Sequence, residues 1–302
     1  MDQIANVIQV PVRSALTDDP MEILTFAADA FDEGGAALAT LVEIRGGAAR
    51  ALGSHMAISR DGRYCGYVSG GCVEAAVASE AVAAIAEGRD RLVRYGDGSP
   101  FFDIVLPCGG GITISIHVLL EARAIRATIN SLRGRRPAAL RYSPTVHHLT
   151  TETALERSGW RNDEFVSVYR PCTRLLISGR NLEAQAVATI ARASGYDVVL
   201  DSQDINCAID ETTAVVILHH DLDAEEKVLE RALTSPAFYV GALGSTRTHR
   251  RREERLRQQG WSSSDINRIK APIGFFGPTR DASSLALSVL ADVAAARLAA
   301  CP

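Results

Sequence analysis

Residues 175–204 read LLISGRNLEAQAVATIARASGYDVVLDSQD. An apolar strand, a glycine turn, a helix and a second strand ending in acid follow one another, the layout of a dinucleotide-binding βαβ unit. The turn departs from the G-x-G-x-x-G/A fingerprint. Gly179 takes the first position, where it makes the tight turn, and Ala184 the third, where a small side chain lets helix and strand approach. Asn181 stands at the second, where backbone should meet the pyrophosphate. Asparagine is among the few non-glycine residues that visit left-handed backbone, so the turn is expected to survive, but its side chain crowds a pyrophosphate. Asp201 has the position and chemistry for a ribose hydroxyl, and Arg180 offers a charge to phosphate. Two readings stay open: a nucleotide at this turn, or a retained fold with a degraded site.

Outward from this unit the pattern continues. Strands are expected at 174–178, 197–200, 213–218 and 237–241, with helices at 182–194, 223–233, 247–259 and 281–299. This alternation implies a parallel sheet with helices on both faces, a Rossmann-like C-terminal domain over 171–302. Ligands gather outside the carboxyl ends of such strands. There stand His219, His220 and Asp221 after TAVVIL, and Gly244 and Ser245 after YVGAL, where Ser245 or Thr246 can cap the next helix. The arginines between Arg250 and Arg257 are interrupted by Glu253 and Glu254, which reads as a solvated face or a partner-docking surface rather than a nucleic-acid patch.

Residues 1–170 form the other domain, mixed α+β, so the fold class is α/β. A helix is expected over Met21–Asp32, a buried strand over Ala36–Ile44, and a hairpin around Asp61-Gly62. A helix follows over Val73–Gly88, then strands at Ile104–Leu106 and Ile112–Leu119. Arg133–Phe165 has charge, prolines and no sustained period, and reads as a connecting segment with short strands.

Composition bounds the function. The 302 residues are 47% hydrophobic and 23% charged, ordinary globular values. A net charge of −4 makes no electrostatic case for nucleic acid. No apolar run is expected to reach the ~20 residues of a membrane span. The first residues do not read as a secretory signal, and a cytoplasmic location is the expectation. The cysteines are 65, 72, 108, 172, 207 and 301, with no C-x-x-C pair.

Two cysteines stand on glycine turns. Ser69-Gly70-Gly71-Cys72-Val73-Glu74 lies between a strand and a helix, where free N–H groups favour an anion or a thiolate. Glu74 can cap the helix or act as an acid or base. The bland alternative is that Cys72 is a small buried residue packing a tight turn. Pro107-Cys108-Gly109-Gly110-Gly111 lies between two strands, and three glycines in a row imply that backbone approaches something closely. Two thiols alone make a poor zinc site, and spacing assigns neither His55 nor His117 as a further ligand.

SGGCVEAAVASEA, LVRYGDGSP, LPCGGGI, YVGALGSTRTHRRREERL and KAPIGF, in this order, resemble the XdhC/CoxI family, whose members help mature molybdenum hydroxylases. The resemblance runs from about Met21 to Arg297 and implies a cytoplasmic chaperone that binds the molybdenum cofactor, as molybdopterin or its dinucleotide, assists its sulfuration and delivers it. The implied partners are an apo-molybdenum hydroxylase of the xanthine dehydrogenase type, a cysteine desulfurase, a cofactor nucleotidyltransferase and a second copy of the chain. Cys72 and Cys108 match the family's cysteines, and His220-Asp221 matches a common His-Asp pair. The family commonly has a Gly-Ala-Gly-His type turn where this chain has Gly-Arg-Asn-Leu, and Pro278 and Ser284 depart from its later Gly-rich pattern. Competing readings are an NAD(P)-dependent oxidoreductase, which rests on the Rossmann layout alone, and a non-catalytic scaffold for the maturation machinery.

Overall fold

The structure is a computed structural model that describes residues 10–97, 99, 109–152, 157–200 and 207–300. The chain divides into two compact units, Met1–Pro171 and Cys172–Pro302.

In the first unit the elements run β1 (Val12–Ala15), α1 (Pro20–Asp32), β2 (Ala36–Arg45), β3 (His55–Ser59), β4 (Arg63–Gly66), α2 (Glu74–Glu87), β5 (Arg91–Gly96), β6 (Gly111–Val118), α3 (Arg123–Arg133), β7 (Ala138–Ser143), β8 (His148–Glu152), β9 (Gly159–Arg161) and β10 (Glu164–Tyr169). Six strands form one sheet in the order β1-β4-β3-β2-β6-β5. β1 joins β4 in parallel and every other pair is antiparallel. The centre of the sheet is buried on both faces, which is why β2 is apolar from Ala36 to Val42 except at Thr40. Ala37, Ala39 and Leu41 meet α2 through Val77, Ala78, Ala81 and Ala84, whose small side chains let the helix lie close. Leu38 and Ala57 turn the other way, onto Ile23, Leu24 and Ala27 of α1.

The short strands expected over 133–165 are present, but they are more than a connection between domains. They lie largely within a four-stranded antiparallel sheet of order β8-β7-β10-β9. Leu140, Tyr142 and Leu149 of this sheet pack with Ile125, Ile129 and Leu132 of α3, a helix that the sequence reading passed over. Hairpin residues such as His147 and Asn162, both at positive φ, cut the strands into short runs with no visible period. Their apolar partners lie outside the segment, in α3 and α1, so a window over 133–165 sees only the interruptions. The expected strand Ile104–Leu106 lies outside the described residues.

The second unit runs β11 (Arg174–Ser178), α4 (Leu182–Ala193), β12 (Asp197–Leu200), β13 (Thr213–Ile217), α5 (Leu222–Leu233), β14 (Tyr239–Ala242), α6 (Thr246–Gln258), α7 (Ser263–Ile266), β15 (Ile269–Lys270) and α8 (Ala282–Ala300). Five parallel strands lie in the order β12-β11-β13-β14-β15. α4 and α8 cover one face and α5, α6 and α7 the other. One helix corrects the expectation about apolar runs: α8 is long and apolar enough to cross a membrane, with mean hydropathy 1.4 over its window. It serves as a core helix of this unit. Leu285, Ala286, Val289 and Val293 pack against Leu175, Ile177 and Val216. Its buried Asp292 accepts hydrogen bonds from Tyr239 Oη at 2.7 Å and the Gly274 N–H at 3.3 Å.

Candidate functional site

β2, β4 and β5 run in one direction and β3 and β6 in the other. Both cysteine turns therefore stand at one end of the six-stranded sheet: the first leads from β4 into α2, the second into β6. β4 and β6 are three strand spacings apart, roughly 14 Å. The loop after β2 lies between the turns. A Cβ on Gly70 would stand 3.4 Å from Ala49 Cβ, and one on Gly110 would stand 2.5 Å from the Gly47 carbonyl oxygen.

The Cys72 loop is held from beneath by a buried carboxylate. Glu74, 1% exposed, accepts from the N–H groups of Val68 (3.2 Å), Ser69 (2.8 Å) and Val73 (3.3 Å). The Ser69 hydroxyl lies against both Glu74 oxygens and accepts in turn from the N–H groups of Gly71 (3.3 Å), Cys72 (3.1 Å) and Val73 (3.4 Å). Glu74 opens α2 but does not cap it: its carboxylate turns back onto the loop, and the helix N-terminus has no side-chain cap. Its oxygens gather loop N–H groups that would otherwise be buried without a partner. Gly71 sits at φ +106, a backbone that a side chain rarely adopts. Cys72 is exposed, which removes the reading of a buried packing residue.

The second turn is built by close approach to protein. A Cβ on Gly110 would also fall 2.5 Å from the Arg45 carbonyl oxygen, and one on Gly111 would fall 2.4 Å from the Asp97 carbonyl oxygen. Arg45 fills the space that Gly111 leaves. It donates to the Asp97 carbonyl from Nε (3.2 Å) and Nη2 (3.0 Å), and to Glu43 (2.7 Å) and Thr113 Oγ1 (2.9 Å) from Nη1. Gly109 is exposed at φ +68 with open space around it, and Cys108 lies outside the described residues.

His55 and His117 are both engaged within the protein. His55 Nδ1 meets Thr40 Oγ1 at 3.0 Å and its Nε2 meets Tyr169 Oη at 2.5 Å. Burial pushes its pKa down to about 3. His117 Nδ1 meets Asp90, which also accepts from Tyr142 and from the Val118 N–H. Among the described residues no group of three or more His, Cys, Asp or Glu is arranged to hold a metal ion.

In the second unit, β11 and β13 are neighbours where the strand order reverses, so the turns after them share the switch point. Gly179, at φ +149, lies close against Leu218: a Cβ there would fall 3.2 Å from the Leu218 carbonyl oxygen. Asn181 is not left-handed. It is extended (φ −83°, ψ 177°) and N-caps α4, its Oδ1 accepting from the Ala184 N–H at 3.0 Å and its Nδ2 donating to the Leu218 carbonyl at 2.8 Å. The sequence reading singled out His220, which is exposed; the ring that turns inward is His219, whose Nε2 meets Ser178 Oγ at 2.8 Å. The His-His doublet carried that signal, but only the register of β13 beside β11 decides which ring faces the crevice. Asp201 lies outside the described residues.

The family described as XdhC and CoxI matches residues 32–96, and the XdhC Rossmann domain matches residues 175–293. The chain is 52% identical over 292 residues to the molybdenum cofactor insertion chaperone PaoD of Escherichia coli (strain K12), covering 95% of this chain and 92% of that protein. The chain belongs to the XdhC/CoxI family. It is also 25% identical over 262 residues to the uncharacterized protein YqeB of the same organism, across 85% of this chain and 42% of that one. A Bacillus halodurans crystal structure, described as a xanthine dehydrogenase, superposes with a TM-score of 0.72 at 19% identity, over 93% and 96% of the two chains, and shows the shared fold.

In this XdhC/CoxI chain three helices at the carboxyl end of the parallel sheet are capped by their own side chains. Asn181 caps α4, Asp221 caps α5 through the Asp223 N–H (3.0 Å), and Ser245 caps α6 through the Thr248 N–H (3.2 Å). Gly244 lets the chain turn onto Thr248, where a Cβ would fall 3.0 Å from the threonine. A pyrophosphate at α4 has to displace the Asn181 carboxamide, and Asp221 places a carboxylate where a phosphate at α5 would lie. These caps weigh against a nicotinamide dinucleotide at the switch point.

Proposed function

We propose that this protein binds the molybdenum cofactor as cargo and hands it to an apo-molybdenum hydroxylase of the xanthine dehydrogenase type. The observation that carries the reading is the exposed Cys72 on a loop fixed by Ser69 and Glu74, in a chain half identical to a cofactor insertion chaperone over nearly its whole length. A thiolate is a soft ligand, suited to molybdenum and to sulfur at oxidation levels that carboxylates bind poorly. The loop is tied down by the Ser69 and Glu74 hydrogen bonds while its thiol is open to solvent, so the cargo can be met in a defined geometry and still be passed on. Ser69, Gly70, Gly71 and Glu74 set that geometry, and Cys108 with Gly109 and Gly110 supplies the second turn. A sulfuration step places a cysteine desulfurase among the partners, and a dinucleotide form of the cofactor adds a nucleotidyltransferase.

The test is to load purified protein with molybdenum cofactor and compare Cys72→Ala and Cys108→Ala. Wild type is expected to retain cofactor and to raise the activity of an added apo-hydroxylase, with both effects reduced in each variant. Equal retention by wild type and both variants overturns the site; no retention by wild type overturns the function.

A further inference from the structure

A second feature adjoins the Cys72 loop. Tyr67, two residues before Ser69, carries two guanidinium groups: that of Arg13 at 4.3 Å from its ring centroid and that of Arg50 at 5.1 Å. Arg13 comes from β1, 5.0 Å from the Tyr64 ring as well, and Arg50 from the loop after β2. That same loop touches Gly70 through Ala49, so Arg50 is one residue from the contact and Gly70 two residues from Cys72. Among the described residues no carboxylate pairs with Arg13. Its Nη1 reaches only the Gly66 carbonyl, at 3.4 Å. Arg50 donates from Nη1 to Asp18 at 2.7 Å, and Asp18 is an exposed carboxylate.

Beneath Arg50 and Tyr67 opens a cavity of about 200 Å³, reaching Asp18, His55, Ser158 and Tyr169. Ligand pockets are commonly about 300–1,000 Å³, so this one has room for a single group of a larger molecule. His55 in its lining is a neutral, fully hydrogen-bonded imidazole, so among the described residues the only charged side chains there are Asp18 and Arg50. The cation on its lining is Arg50, and Arg13 joins it through the shared Tyr67 ring; the planar guanidinium is the side chain best matched to phosphate oxygens.

We propose that Arg13, Arg50 and Tyr67 form an anion subsite that takes a phosphate or pyrophosphate group of the ligand whose other end meets Cys72, and that Asp18 holds Arg50 until that group arrives. The subsite deepens the cargo reading above and rests on it for the identity of the ligand; the phosphoryl chemistry rests on the arginines alone. The phosphate is that of a pterin monoester or the pyrophosphate of its dinucleotide.

Full-length wild type, Arg13→Gln, Arg50→Gln and Asp18→Asn are compared in two assays: retention of each form of the molybdenum cofactor on gel filtration, and ³¹P line broadening of inorganic phosphate and of pyrophosphate. Each arginine variant is expected to lose roughly tenfold in affinity in both assays, the cost of one charge-assisted hydrogen bond. Asp18→Asn is expected to gain severalfold, because the competing carboxylate is gone. The better-retained cofactor form and the more broadened anion identify which phosphoryl group the subsite prefers. Arginine-dependent pyrophosphate binding without cofactor retention upholds the subsite and overturns the cargo reading. Equal pyrophosphate binding by wild type and both arginine variants overturns the subsite. If an arginine variant does not fold, unchanged or weaker binding by Asp18→Asn overturns the proposal alone.

Discussion

The Ser69 hydroxyl lies 2.9 and 2.8 Å from the two oxygens of the Glu74 carboxylate, one hydrogen shared between two acceptors. Through this pair the buried charge reaches the three N–H groups that Ser69 gathers. Glu74→Gln puts a donor in place of one of two acceptor oxygens, at a carboxylate that the N–H groups of Val68, Ser69 and Val73 all face. It is expected to lower unfolding free energy by about 1–3 kcal/mol in chemical denaturation. Cys72 stays reactive toward a thiol reagent, while cofactor retention falls.

The three glycines after Cys108 differ in what they tolerate. A methyl at Gly110 meets backbone oxygens of Arg45 and Gly47 that cannot swing aside, whereas at Gly109 the space is open and only the φ of +68 resists. Gly110→Ala is expected to cost about 1–3 kcal/mol as an overpacking defect. Gly109→Ala should cost less, about 1 kcal/mol. Denaturation midpoints in that order support the account, and the reverse order refutes it.

Asn181 both caps α4 and bonds across to Leu218. Asn181→Ala is expected to cost about 0.5–2 kcal/mol and Asn181→Gly less. Wild type should show no saturable change in NADPH fluorescence up to about 1 mM, the top of the usual range for enzyme substrates. Saturation below that limit would restore the dinucleotide reading.

His55 sets a pH dependence with a definite sign. Its folded pKa is depressed to about 3 by burial, while the unfolded chain titrates near the ordinary histidine value of 6.5. Below 6.5 the unfolded state binds the extra proton, so stability is full above 6.5 and declines as pH falls toward 3. The slope is on the order of 1.4 kcal/mol per pH unit. His55→Gln should flatten the stability profile between pH 6 and 4 relative to wild type, roughly the middle of that window. Burial works to raise the Asp90 pKa, but its bonds to His117 and Tyr142 hold it well below the ordinary carboxylate range, so its contribution is full above 3.8 and is lost as pH falls below that value.

Arg252 and Glu225 form a buried bidentate pair, each side chain 2% exposed. Glu225→Gln leaves the guanidinium without its counter-charge and is expected to cost about 3–5 kcal/mol. Arg252→Met combined with Glu225→Leu should be milder than the single change, since no charge is then left buried. Thermal unfolding of the three proteins separates these outcomes.

The second unit was legible because its elements are coded locally. Apolar runs of five residues and helical stripes of twelve alternate with glycine and acidic turns, and parallel βα connections leave few ways to assemble them. The SGGC and PCGGG motifs were legible for the same reason, since each is a contiguous turn. The sheet of 138–169 was not, because its strands are short and the core they face comes from α1 and α3.

The order of the long strands and helices in the second unit was thus decided by sequence alone, through side-chain period, while the short α7 and β15 were not foreseen. Tertiary structure alone decided which groups meet. Glu74 finds its donors only because β4 and α2 bring Val68 and Ser69 over its carboxylate. Asn181 finds Leu218 only because β13 lies beside β11, and Arg13 and Arg50 reach Tyr67 only once β1 and the loop after β2 close onto β4. A local window records what each residue can offer. Which partner accepts is settled by strand pairings that close long loops, at an entropic cost that only the assembled core repays.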